Sequence, residues 1–167
     1  MFTTREVRDL AIAWLVLSLC FSVSWRGVNP RLFLTSMVTV GLGFILHELA
    51  HKFTANSYGC WAEFRAWFPG LLIALLLALA TGGRFVFAAP GAVYVLPSLR
   101  FYHEPSGREY GLIALAGPLA NIFLALFFLA LTPLGGWISF VGLNGFYVNS
   151  WLAAFNMLPL SVLDGLK

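Results

Sequence analysis

Residues 46–53 read LHELAHKF, and they stand inside an apolar run that extends from about 32 to 54. Two histidines and a glutamate occupy positions that hydrocarbon penalises. Each ionisable group costs about 2.5–3.5 kcal/mol or more at the centre of a membrane helix. The rest of the chain shows that hydrocarbon is the relevant solvent. Of 167 residues, 60% are hydrophobic and only 10% charged, with a mean hydropathy of +0.85. Soluble domains carry about 25% charged residues. The sequence therefore predicts an all-α membrane protein, a polytopic helical bundle whose main partner is the lipid bilayer. The net charge of +3 is scattered, with no basic cluster to suggest nucleic acid. Sixteen Phe and six Trp suit lipid contact and interfacial anchoring. No small-residue cleavage site follows the first apolar run, so a secretory signal is not predicted. Cys20 and Cys60 read as isolated buried thiols rather than a disulfide.

Working outward from the motif, spans are predicted over about 10–26, 32–54, 110–131 and 137–160. A shorter apolar stretch bounded by Gly and Pro covers 67–83 and predicts a further helix. The stretch after it, 84–97, is rich in β-branched and aromatic residues around Pro90-Gly91 and predicts strand–turn–strand. Lys and Arg set the orientation. With the N-terminus inside, Arg5, Arg8, Lys52, Arg65, Arg100, Arg108 and Lys167 are cytoplasmic, and only Arg26 and Arg31 are external. The predicted location is thus multi-pass in the cell membrane, with the N-terminus and the motif towards the cytoplasm. A single domain is expected over 1–167.

His47 and His51 are four residues apart, so both rings project from one helical face. Their nitrogens can share one metal. Glu48 lies about 100° further round the helix and can reach a water at that metal without being a ligand. This is the H-E-x-x-H arrangement of zinc metalloproteases. A catalytic zinc takes three protein ligands and keeps one position open. His103, Glu63, Glu104 and Glu109 lie in charged loops and read as solvated. Asp164, at the end of the last apolar run, is the remaining candidate third ligand.

HELAH (47–51), AGPLAN (116–121) and NMLPLSVLDG (156–165), in that order, resemble the site-2 protease family of intramembrane zinc metalloproteases, in its membrane-only archaeal and bacterial form. The resemblance runs from about residue 40 to the end. It implies one Zn2+ per chain on His47, His51 and Asp164, with Glu48 as catalytic base. It also implies that Asn156 holds substrate or steadies the oxyanion and that Asn121 supports substrate binding. The substrate would be a transmembrane protein cut within or next to its membrane segment. Two departures stand out. Ser161 and Val162 replace prolines common in the family, and the chain stops three residues after Asp164, where members continue. The core is therefore expected to be truncated relative to the family.

Convergence of these ligands constrains the topology. Helix 32–54 ends inside and helix 110–131 must start inside, so 67–97 crosses twice or not at all. A re-entrant helix and β-hairpin is predicted there, with its backbone covered by protein. Its extended part could bind substrate by strand addition through Phe85, Val86, Phe87, Ala92 and Val93. Two other functions fit parts of the pattern: a metal-ion transporter or channel, and an inactive protease-like protein that binds membrane clients. The oligomeric state is not readable from the sequence.

Overall fold

The computed structural model describes residues 2–86, 89–97, 105–159 and 163–166. Among these, five α-helices and two small antiparallel sheets are present. In chain order they are α1 (Thr4–Cys20), β1 (Val23–Ser24), β2 (Gly27–Val28), α2 (Pro30–Ser57), β3 (Trp61–Ala66), α3 (Phe68–Thr81), β4 (Gly91–Leu96), α4 (Gly107–Leu131) and α5 (Gly136–Asn156). Short 3-10 turns follow at Thr132–Leu134 and Asp164–Leu166.

Helix α2 is the centre of the molecule and packs on α1, α4, α5 and both long strands. Asn29 caps it by accepting from the N–H groups of Arg31 and Leu32 at 3.0 and 3.2 Å, and Pro30 supplies a preset first turn. Gly41 and Gly43 let neighbours approach its backbone. A Cβ on Gly41 would lie 2.1 Å from Trp14 Nε1, and one on Gly43 2.6 Å from Asn149 Oδ1. Phe44 meets Phe64 of β3 edge to face, with centroids 5.4 Å apart.

Two of the predicted spans, Pro30–Ser57 and Gly107–Leu134, are long and apolar enough to cross a membrane by length and composition. Outward-facing side chains are apolar as well. Phe123, Leu126 and Phe127 of α4 and Tyr147 of α5 are all exposed.

The first helix differs from the prediction. It starts at Thr4, not near 10, and ends at Cys20. Its polar leader is helical because Glu6 and Asp9 are buried against the rest of the fold. Glu6 accepts from Lys52 Nζ at 2.7 and 2.8 Å and from the N–H of Phe64 at 3.1 Å. Lys52 also donates to Ala62 O at 2.8 Å, and Asp9 accepts from the N–H of Ala66 at 3.3 Å. Thr3 donates to Glu63 and Arg65 adds a second hydrogen bond, which together hold the Glu63 carboxyl below its ordinary range. Residues beyond α1 form the β1–β2 hairpin rather than the last turn of a span.

The predicted strand–turn–strand is also corrected. Among the described residues of 84–97 only Gly91–Leu96 is a strand, and Pro90-Gly91 opens it instead of turning it. Its partner is β3, on the far side of α3, paired from Trp61↔Leu96 to Ala66↔Gly91. A Cβ on Gly91 would lie 2.2 Å from Arg65 O, so only glycine fits this crossing. Phe87 lies outside the described residues, as do Arg100, His103, Glu104, Ser161, Val162 and Lys167.

Candidate metal centre

Near the C-terminal end of α2, His47, Glu48 and His51 are 5%, 7% and 5% exposed. The two rings stand edge to face with centroids 4.6 Å apart. Helix α4 closes over them. His51 Nδ1 donates to Ile113 O at 2.6 Å, and His47 Nδ1 donates to Asn121 Oδ1 at 3.0 Å. A carbonyl oxygen can only accept, so in the neutral rings the protons sit on Nδ1 and both Nε2 atoms carry lone pairs. Those Nε2 atoms are 3.0 Å apart, and Asp164 Oδ2 lies 3.1 Å from His47 Nε2 and 3.0 Å from His51 Nε2.

Three lone-pair atoms at these separations repel one another. A cation among them reverses the sign of the interaction. Two imidazole nitrogens and one carboxylate oxygen match the three-ligand donor set of a catalytic zinc, and the Nδ1 hydrogen bonds orient the rings as outer partners do in such sites. Among the described residues this is the one group of three or more His, Cys, Asp or Glu able to hold a metal. A cavity of about 50 Å³ adjoins it, bordered by Glu48, Asn121, Phe155 and Asn156. That is room for water.

Over 169 residues the chain is 43% identical to a protein of Methanocaldococcus jannaschii provisionally named zinc metalloprotease MJ0611, covering 99% of this chain and 84% of that one. The chain belongs to the site-2 protease family of zinc metalloproteases. Two further relatives carry the same provisional name. Rip2 of Mycolicibacterium smegmatis is 29% identical over 93% of this chain and 62% of its own length. YwhC of Bacillus subtilis is 30% identical over 78% of this chain and 65% of its own length. No family model and no solved structure matches the chain.

Zinc is the cofactor of this site-2 protease family member, and His47, His51 and Asp164 are brought together in the way its binding requires. Asn156, at the end of α5, reaches the same cavity, although its Nδ2 already donates to Leu152 O at 3.0 Å. Asn121 is fully buried. Its Oδ1 is engaged by His47, and its Nδ2 has no hydrogen-bond partner among the described residues. Ala92 and Val93 border the cavity, but Phe85 and Val86 do not. Phe85 is half exposed, and Val86 packs against the cluster formed by Cys20, Val23, Ala74 and Ala78. Those two residues therefore lie away from this cavity. Cys20 and Cys60 are free and buried, as predicted.

One functional residue escaped the sequence reasoning. A Cβ on Gly117 would lie 2.3 Å from His51 Nε2 and 2.7 Å from His47 Cε1, so the imidazoles rest on bare backbone. The signal was present in AGPLAN, where a glycine precedes a proline within a helix.

Proposed function

We propose that the chain is an intramembrane zinc endopeptidase that hydrolyses peptide bonds within or next to the transmembrane segments of membrane-anchored proteins. The observation that carries this reading is the buried His47–His51–Asp164 triangle with Glu48 beside it, on a helix long and apolar enough to span a bilayer. A metal-ion path would need donor groups at several depths, and the described residues offer one.

One bound Zn2+ supplies Lewis acidity, polarising a carbonyl and lowering the pKa of a water. His47, His51 and Asp164 hold it. Glu48 takes the proton from the attacking water and passes it to the leaving amine. Asn156, which borders the cavity, steadies the negative charge that grows on the scissile carbonyl oxygen, and Asn121 orients His47 through its Oδ1.

The substrate segment is held extended on β4. The N–H groups of Phe64 and Ala66 and the C=O of Ala62 turn towards α1 and Lys52. Alternation then puts the ladder on Trp61, Glu63 and Arg65 opposite Leu96, Tyr94 and Ala92. The peptide groups of Val93 and Val95 point the other way, along an edge open to strand addition. In this reading α3 and β4 form a re-entrant element, the bundle is polytopic in the cell membrane, and the N-terminus and active site face the cytoplasm.

The test is Glu48→Gln in purified protein mixed with a transmembrane substrate. Zinc content per chain stays at the wild-type level while cleavage, read by mass spectrometry, is lost. Cleavage at the wild-type rate removes Glu48 from its role and the reading with it.

A further inference from the structure

A second cavity, about 380 Å³, adjoins the metal triangle and is bordered by His51 and Asp164. One wall is Ala92, Val93, Tyr94 and Val95 in succession. Side chains on a strand alternate between faces, so four consecutive residues share a cavity only through the strand's edge. That edge is the one whose Val93 and Val95 peptide groups point away from β3. The opposite wall is Tyr110, Ile113 and Ala114 of α4, spaced three and four apart on one helical face. Ile113 also fixes His51 through its carbonyl, so this wall and the metal ligand move as one.

We infer that this cavity is the specificity subsite of the peptidase, taking an uncharged, apolar substrate side chain next to the scissile bond, with its size limit set by Ala114 and Tyr110. The inference rests on the protease reading above. A segment extended along β4 lies between the strand and α4, and the side chain it turns towards α4 meets Tyr110, Ile113 and Ala114. Among the described residues, and apart from His51 and Asp164, which belong to the metal triangle, the lining offers no charged group. A Lys or Asp side chain entering it would lose water and, outside the metal triangle, find only tyrosine hydroxyls among the described residues. Ala114 is the smallest residue on the helical wall, so a larger side chain there shortens the space directly.

The test varies a cleaved transmembrane substrate, one position at a time, at the two residues flanking the scissile bond, through Ala, Leu, Phe, Lys and Asp. Wild type prefers Leu or Phe over Lys and Asp at one of these positions by about tenfold or more. Ala114→Leu lowers the Phe-to-Ala rate ratio at that position by about tenfold, and Tyr110→Ala raises it, with zinc content per chain unchanged in both. Tyr110 lies at the rim, 39% exposed, so its variant carries the test where Ala114→Leu fails to fold. In the Glu48→Gln background, Tyr110→Cys forms a disulfide with a substrate cysteine at the same position. Equal ratios in all three proteins, or no disulfide, overturn the subsite while leaving the protease reading in place. A wild type that cleaves no member of the series overturns both.

Discussion

At the scale of single residues, the centre depends on groups that are not metal ligands. Gly117 is the clearest case, because the space its missing side chain leaves is occupied by His51 Nε2, 2.3 Å from where a Cβ would sit. Gly117→Ala therefore displaces the imidazoles, and the purified protein carries less than the wild-type zinc by mass spectrometry although every ligand is intact. Asn121 acts through its amide oxygen. Its Oδ1 accepts from His47 Nδ1 and fixes the tautomer of that ring. Asn121→Ala weakens zinc affinity by about 10–100-fold, as loss of an outer hydrogen-bond partner does, and a chelator titration measures it. His47, Glu48 and His51 were legible from their spacing, and Asp164 was a candidate that the family resemblance named as third ligand. Gly117 was not, because a glycine's function is defined by what approaches it.

Among elements, the small sheet is the unit that organises the catalytic side. Glu6 and Asp9, one turn apart on α1, receive the N–H groups of Phe64 and Ala66 and so seal the outer edge of β3. A sheet with one sealed edge presents only the other, which is β4 beside the metal. The seal is anchored by the Glu6–Lys52 pair, 0% and 2% exposed, and Lys52 directly follows His51. Removing one member leaves the other charge buried and unpaired. Glu6→Gln destabilises the protein by about 3–5 kcal/mol, read as a lowered Tm in detergent, and adding Lys52→Met to it recovers most of that loss. The sequence found β4 from its β-branched residues, although it read 84–97 as two strands joined by a turn at Pro90-Gly91. It missed β3 because a strand whose hydrogen bonds are completed by carboxylates of a distant helix carries no local mark of its partner.

For the whole molecule, the proposed function places the ligand set in a bilayer, and that placement sets a topology. His47 and His51 lie near the end of α2, and Asp164 follows α5, so the ends of these two helices share one depth. Helix α4 must then begin on the same side. Ser57 and Gly107 are exposed at the end of α2 and the start of α4, and Leu134 is exposed beyond the far end of α4. Native Cys60 is buried and makes a poor probe. In sealed vesicles, cysteines introduced by Ser57→Cys and Gly107→Cys label from the same side as the N-terminus, and Leu134→Cys labels from the opposite side. Labelling of Ser57→Cys and Gly107→Cys from opposite sides breaks the proposed arrangement of the spans.

The sequence by itself determined the zinc chemistry and the family, since i and i+4 spacing on a helix and the order of three short motifs are properties of the chain in one dimension. Only the tertiary structure decided which strand pairs with β4, why a buried lysine is tolerated beside a metal ligand, and which edge of the sheet is left open. Those outcomes depend on partners such as Glu6 and Lys52, 46 positions apart, whose hydrogen bonds form only once the helices have packed. Pairing across such distances is set by which buried polar groups can satisfy one another, and no local pattern encodes that.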